Sequence, residues 1–305
     1  MKLDAKIIFE RQNMPGMVGA QKSANYCYSY GKKLVAFLAV VSILVPIISN
    51  VLLLIFTNQI LANVLSVIAL CCFLIAEILR SQVKKYKFYG AGLQQYFDEF
   101  VFGLKNSCKK YLQESKLSSD QRLALLKKYE HEDNEPFLNW YSDYSKLPYE
   151  KAVYHCQKEN LRWDKKLREK YLWFLVASLS IIIIAIVIHA VLNNQSTNEF
   201  VAIILSGIPV ISYLFNGVKK LVKDIKNQND IMDCIERLES KLHSSKEIWD
   251  EIEEIQVEIF KYRKTNYLIP NWFYKLYKNT MQEEEDYIAQ KISGKSYESN
   301  DKEKN

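Results

Sequence analysis

Glycine, proline and histidine are scarce in this chain of 305 residues, with 9, 6 and 4 copies respectively. So few glycines leave little room for a phosphate-cradling loop, and the sequence has neither a G-x-G-x-x-G fingerprint nor a Walker loop. The H-E-x-x-H and G-x-S-x-G signatures of metalloproteases and serine hydrolases are absent too. Because no nucleophile, base or metal-ligand set converges, we expect a protein that is not an enzyme and that carries no metal site and no cofactor.

The sequence does contain four long apolar segments, at residues 34–56, 60–80, 171–192 and 200–218. Each has about the 20 residues that a helix needs to cross roughly 30 Å of hydrocarbon. A buried helix of a soluble protein usually has an apolar stretch of only about 10–14 residues. We therefore predict four transmembrane helices.

Short links join these segments into two pairs, through residues 57–59 and 193–199, so we predict two antiparallel helical hairpins. Neither link contains lysine or arginine, whereas the other four ends of the segments are basic. By the positive-inside rule, both termini and the middle of the chain are cytoplasmic. The formal charge of +6 is thus a topology signal, and we expect no nucleic-acid polymer as a partner.

The predicted fold is an all-α polytopic membrane protein, with two transmembrane hairpins and a helical cytoplasmic domain. The predicted organisation has five parts. These are a cytoplasmic segment 1–33, a first hairpin 34–80, a cytoplasmic sensor region 81–170, a second hairpin 171–218 and a cytoplasmic helical region 219–305. The polar tail from about residue 293 is expected to be disordered.

Local signals place several helices in the cytoplasmic parts. Ser118 and Gln121 have the spacing of a capping box that opens a short helix. No glycine or proline occurs between Pro148 and Gly207, which predicts one long helix from Pro148 through the third apolar segment to Leu192. A helix that follows the second apolar segment is expected to be interrupted near Gly90 and Gly92.

Residues 219–262 are predicted to be helical, with apolar side chains at alternating spacings of three and four. This pattern suits a coiled-coil seam between chains, or packing against other helices of the same chain. The favoured interpretation is packing within the chain. The seam consists of Ile231, Ile235, Leu238, Leu242, Trp249, Ile252 and Ile259.

Polar residues share a face on two of the predicted membrane helices. Such a face can line a water-filled path or allow close helix packing, and the sequence favours neither. On the first helix the candidates are Ser42, Ser49 and Asn50. On the fourth they are Ser206, Pro209 and Asn216.

A denser group of polar and aromatic residues lies in the cytoplasmic parts. Arginine, amide and aromatic side chains are what a nucleotide site needs for phosphate contact, base-edge hydrogen bonds and ring stacking. The alternative is an interhelical polar network that fixes the geometry of the domain. The candidates are Arg11, Gln12, Asn13, Gln21, Lys22, Trp140, Tyr141, Gln157, Asn160, Trp163, Asp164 and Arg168.

These residues lie in short motifs that follow one another along the chain. The motifs are RQN (11–13), AQK (20–22), WY (140–141), LP (147–148), CQKEN (156–160), WDKKLREKY (163–171) and LIPNWFY (268–274). In their order and in the two-hairpin layout, the chain resembles the SMODS-associated four-transmembrane effector family. Lys22 stands where we expect arginine in this pattern, which puts a bidentate contact there in doubt.

The resemblance implies an effector of bacterial anti-phage defence in the inner membrane. A cognate nucleotidyltransferase would make a cyclic oligonucleotide, and the effector would bind this messenger on the cytoplasmic side, form a homo-oligomer and permeabilise the lipid bilayer. The alternative is a non-conducting membrane scaffold, or a constitutive channel subunit, whose cytoplasmic helices bind a protein. This alternative predicts tolerance of Arg11→Ala and Arg168→Ala.

Overall fold

The protein is helical throughout the part that the structure, a computed structural model, describes, namely residues 4–56, 58–105, 116–129, 137–192, 196–241 and 248–302. No strand occurs in these ranges. They contain eight helices: α1 (Lys6–Gln12), α2 (Pro15–Ile55), α3 (Gln59–Val101), α4 (Ser119–Lys128), α5 (Tyr149–Leu192), α6 (Thr197–Lys241), α7 (Ile248–Thr265) and α8 (Asn271–Lys302).

Three of these helices, α2, α3 and α5, are long and apolar enough to cross a membrane. Their large apolar side chains point outward: Ile60 is 73% exposed, Ile181 66% and Leu192 75%. Contiguous apolar surface of this kind is rare on soluble proteins and indicates contact with lipid. The fourth apolar segment lies in α6, where several side chains fall outside the described residues, so a fourth span stays a prediction.

The apolar parts of the helices form two hairpins, α2 with α3 and α5 with α6. The turn of the first hairpin is closed by Asn58, whose side-chain oxygen accepts a hydrogen bond of 2.8 Å from the backbone N–H of Ile60. An asparagine at this position satisfies one of the free N–H groups at the start of a helix. The link is thus short enough to keep α2 and α3 antiparallel.

Helices α2, α3, α5 and α6 each continue without a break from the apolar part into the polar part of the fold. The prediction of one long helix that ends at Leu192 is confirmed by α5, which begins at Tyr149 directly after Pro148. The capping box of α4 is confirmed as well, because both of its hydrogen bonds, between Ser118 and Gln121, are present. Helix α2 likewise runs unbroken from Pro15 to Ile55.

The prediction of one helix over residues 219–262 is wrong. Helix α6 ends at Lys241, and α7 is a separate helix that packs against α3, α5 and α6 in the core of the polar part. The seam residues Ile231, Ile235, Leu238, Ile252 and Ile259 are buried together in this core, which favours packing within the chain over a coiled coil. Leu242 lies outside the described residues.

One further expectation, the interruption of α3 near Gly90 and Gly92, is corrected. Helix α3 is not interrupted at its glycines, which instead allow close contact: a Cβ at Gly92 would lie 2.6 Å from Cγ of Leu117. Helix α8 extends to Lys302, and disorder of the tail from about residue 293 stays a prediction. Ser293 is buried, and its hydroxyl donates to the carbonyl of Asp143 over 3.3 Å, which extends the folded part.

Part of the polar face predicted on the first membrane helix lines a cavity of about 410 Å³ between α2 and α3. Ser42 and Ser49 lie on its wall, and Arg80 lies there as well. Pro209 is inside α6, and Asn216 is exposed. The side chains of Asn50 and Ser206 are outside the described part. These positions agree both with a water-filled path and with close helix packing along this face.

Candidate ligand-binding cavity

A cavity of about 840 Å³ lies among the polar parts of the helices, outside the apolar segments. This volume is within the ~300–1,000 Å³ that is typical of small-molecule sites. Four helices supply most of the wall, each through residues three or four positions apart, which lie on one face of a helix, and α1 and α3 add Phe9, Gln12 and Gln94. Helix α2 contributes Gln21, Asn25, Tyr28 and Lys32, and α8 contributes Asn271, Tyr274, Lys278, Gln282 and Asp286. The other walls come from α5, α7 and residues 137–143.

Eight of the twelve predicted ligand-site residues lie on the wall of this cavity. They are Gln12, Gln21, Trp140, Tyr141, Asn160, Trp163, Asp164 and Arg168. Three separate parts of the chain contribute them, so the fold brings the sequence motifs together. The remaining four, Arg11, Asn13, Lys22 and Gln157, do not line it.

The four residues away from the cavity hold helices and loops together. Arg11 donates to the carbonyl of Phe100 over 3.4 Å. Asn13 and Asn139 form two hydrogen bonds of 2.8 and 2.9 Å. Asn139 has a positive φ of 49°, which asparagine tolerates better than most residues. Lys22 is buried, and the side chain of Gln157 donates to the side chain of Gln256 on α7 over 3.0 Å.

One buried polar network centres on Asp98 of α3, which is 1% exposed. Its carboxylate accepts hydrogen bonds from Tyr141 over 2.6 Å, from Gln256 over 2.8 Å and from Arg263 over 2.6 Å. Burial alone would lower the pKa of Arg263, but the charge of Asp98 outweighs it and raises that pKa. The network joins α3, α7 and the segment around Tyr141, and it gives the cavity a rigid wall.

A second network surrounds Arg168 of α5, which is 3% exposed and lies three residues before the third apolar segment. Its guanidinium donates to Asp164 on α5 over 2.8 Å, to Asp224 on α6 over 3.1 Å and to the carbonyl of Tyr267 over 2.9 Å. The predicted pairing of Asp164 with Arg168 is therefore present. The side chain ties α5, α6 and the α7–α8 link together at the level where the membrane segments begin.

Aromatic rings line the cavity beside these charges. The rings of Trp163 and Tyr274 lie 5.3 Å apart between centroids, at an interplanar angle of 51°. Below them, towards the apolar segment, Phe273 of α8 packs against Tyr171 of α5, with centroids 4.8 Å apart. The first turn of α8 therefore contacts both the cavity and the start of a membrane helix.

Glu159 is the buried carboxyl group of the cavity wall. It lies on α5 about three turns before the apolar segment begins. Its side chain accepts a hydrogen bond of 2.9 Å from the hydroxyl of Ser142. Burial raises the pKa of Glu159 to about 7, and its hydrogen bonds with Ser142 lower that pKa only in part. The cavity therefore gains a negative charge as the pH rises through 7.

The sequence analysis missed the contributions of α2 and α8. Asn25, Tyr28 and Lys32 continue the face that begins at Gln21, and this spacing is visible in the sequence. On α8, the motif LIPNWFY (268–274) contains Asn271 and Tyr274, but neither is among the predicted site residues, and Lys278, Gln282 and Asp286 lie beyond this motif. No group of three His, Cys, Asp or Glu side chains that could hold a metal ion occurs within the described ranges.

Comparison with known proteins identifies one family. The family model described as "SMODS-associating 4TM effector domain" matches residues 6–292, which is nearly the whole chain. No curated protein matches the sequence. No solved structure matches it either.

Proposed function

Because the chain belongs to the SMODS-associating 4TM effector domain family, a family of membrane effectors in SMODS-type defence, we propose that a cyclic oligonucleotide activates it. A cognate nucleotidyltransferase would make this messenger on infection. The messenger would bind in the 840 Å³ cavity, and the activated protein would permeabilise the bacterial inner membrane.

One observation carries the proposal: two walls of the cavity belong to helices that continue into the apolar segments. Helix α2 presents Gln21 and Lys32 to the cavity and then runs to Ile55. Helix α5 presents Trp163 and Arg168 and then runs to Leu192. An α-helix moves as a nearly rigid rod, so a shift of the wall reaches the membrane without an intermediate hinge.

The ligand would act by differential binding. A messenger that binds better when α2, α5 and α8 are closer together, or are rotated, shifts the population towards that arrangement. Phe273 packs on Tyr171, and Tyr267 accepts a hydrogen bond from Arg168, so movement of the α7–α8 link displaces the start of the membrane segment of α5. The free energy of ligand binding is thereby linked to helix tilt.

Orientation and assembly are parts of the proposal. The basic ends of the apolar segments favour cytoplasmic termini, which places the cavity on the side where a nucleotidyltransferase works. Two hairpins can form at most one four-helix bundle, and the core of such a bundle is filled by side chains. We therefore expect several copies of the chain to assemble. The homo-oligomer would breach the bilayer either by surrounding a pore or by disrupting the lipid.

The proposal is tested with purified full-length protein in liposomes that contain a self-quenched dye. A panel of cyclic di- and trinucleotides is added from outside to vesicles with outward-facing cytoplasmic domains. We expect at least one compound to release the dye and to raise the melting temperature of the protein. Binding that raises the melting temperature, without release, would contradict permeabilisation. If no compound releases the dye or raises the melting temperature, the scaffold is favoured. If the dye is released constantly without ligand, the constitutive channel is favoured.

A further inference from the structure

The cavity contains four cationic side chains, and two of them are already neutralised by carboxylates. Arg263 is held by Asp98, and Arg168 is held by Asp164 and Asp224. A phosphate would have to displace these buried ion pairs before it could use either arginine. The arginines of the cavity therefore form its frame and are poor phosphate contacts.

Within the described residues, the other two cations, Lys32 and Lys278, form no ion pair with a carboxylate, although the charge of Asp164 favours the protonated form of Lys32. The ammonium of Lys32 donates to the neutral side chain of Asn271 over 2.8 Å. The ammonium of Lys278 forms no hydrogen bond or ion pair with any residue in the described part of the chain. A phosphodiester can approach both groups without breaking an ion pair.

Both lysines lie close to Tyr274 in the cavity lining. The ammonium of Lys32 is 5.8 Å from the centroid of the Tyr274 ring, and Lys278 follows Tyr274 by one helical turn. Tyr274 in turn packs against Trp163. Cations beside an aromatic surface match the layout of a nucleotide, whose phosphate lies close to a flat base.

Two acceptors in the wall lack a donor. The side-chain oxygens of Gln21 and Asn266 are buried and have no hydrogen-bond partner among the described residues, and both residues line the cavity. Gln21 is 2% exposed and Asn266 9%. An unsatisfied buried acceptor costs free energy, which a ligand that donates a hydrogen bond would recover. A phosphodiester has no N–H or O–H to donate, whereas adenine, guanine and cytosine each carry an exocyclic amine.

We propose that Lys32 and Lys278 hold the phosphodiester of the messenger, and that Gln21 and Asn266 accept hydrogen bonds from the amino edge of its base. This assignment rests on the proposed function, because it takes the cavity to be the messenger site. It divides the site into an anion-binding part on α2 and α8 and a base-reading part on α2 and the end of α7.

The test measures binding to full-length protein in detergent by calorimetry, with cyclic dinucleotides that contain adenine, guanine, cytosine or uracil and with cyclic triadenylate. For the tightest compound, Lys32→Met and Lys278→Met should each weaken binding roughly ten- to hundredfold, because each removes a charged contact. Each should also reduce the dependence of Kd on salt. Lys275→Met is the matched control, because Lys275 is exposed on α8 and does not line the cavity. The Kd of this variant should stay within about twofold of the wild-type Kd.

The base-reading part has its own readout. Asn266→Leu and Gln21→Leu should reduce the preference for amino-bearing bases over uracil, without lowering the melting temperature of the ligand-free protein. If the wild type binds a compound and both lysine variants bind it as Lys275→Met does, the assignment is overturned and the proposed function stands. If the wild type binds no compound of the panel, the proposed function fails and the assignment fails with it.

Discussion

Replacing Arg263 by methionine is expected to destabilise the polar helical part by about 3–5 kcal/mol, because it leaves a buried carboxylate without its cation. Asp98 is 1% exposed, and the hydrogen bonds from Tyr141 and Gln256 do not neutralise its charge. The loss should lower the melting temperature by on the order of 10 °C. Thermal unfolding of the purified full-length protein, followed by circular dichroism, measures it.

Lys261→Met is the matched control on the same helix. Lys261 pairs with Glu258 over 3.2 Å, and both side chains are 37% exposed, so we expect a change below about 1 kcal/mol. The double variant Asp98→Asn with Arg263→Met removes both charges and should recover much of the stability. Equal melting temperatures for the Arg263 and Lys261 variants would show that the Asp98 network does not hold the cavity wall together.

Arg168→Lys is expected to separate messenger binding from membrane permeabilisation. The guanidinium of Arg168 reaches α5, α6 and the carbonyl of Tyr267 at once, which the point charge of a lysine cannot do. We expect the Kd for the messenger to change by less than about threefold, since Arg168 is committed to carboxylates. Dye release should fall by about tenfold or more, which corresponds to roughly 1.4 kcal/mol of lost coupling.

Arg162→Lys is the control for Arg168→Lys. It distinguishes loss of the contacts that join α5 to α6 and to the α7–α8 link from a general loss of stability in α5. Arg162 of α5 donates to the buried carboxylate of Glu285 over 2.9 Å but does not line the cavity. Arg162→Lys should lower the melting temperature about as much as Arg168→Lys does, while messenger-induced dye release persists. Release by Arg168→Lys at the level of the wild type would exclude Arg168 as the connecting residue.

The sequence predicted those elements that depend on local signals. The absence of breakers after Pro148 predicted α5, and the capping box at Ser118 predicted the start of α4. The apolar segments predicted the hairpins because hydrocarbon thickness imposes a length that few soluble helices have. In each case, the determining interaction lies within a few residues of the chain or between the chain and the solvent.

Features that depend on tertiary assembly could not be predicted in the same way. A spacing of three and four residues is the same for a helix that pairs with another chain and for two helices that pack within one chain. Helices α6 and α7 are separate elements, although neither glycine nor proline occurs in the sequence between Lys241 and Ile248. In the sequence, Asp98 resembles an ordinary surface residue. Only the folded chain brings Tyr141 and Arg263 to it, where both donate hydrogen bonds to its buried carboxylate.

The candidate site also combines features that local sequence patterns predict with features that only tertiary assembly creates. Polar and aromatic motifs indicated residues that gather at one cavity, and some of these residues also hold helices together. Tyr141 and Asp164 line the cavity and also belong to interhelical networks. The contribution of α8 depends on how that helix crosses α5, which no local pattern encodes.

The most direct test of the account is to fill the cavity without disturbing its frame, and then to measure dye release. Asn25 is exposed and lines the cavity, so Asn25→Trp adds bulk there without breaking a buried contact. Gln290→Trp makes a comparable change at an exposed position of α8 that does not line the cavity. We predict that Asn25→Trp abolishes messenger-induced release with an unchanged melting temperature, while Gln290→Trp releases dye as the wild type does. Release by Asn25→Trp at the wild-type messenger concentration would contradict the claim that this cavity controls the membrane.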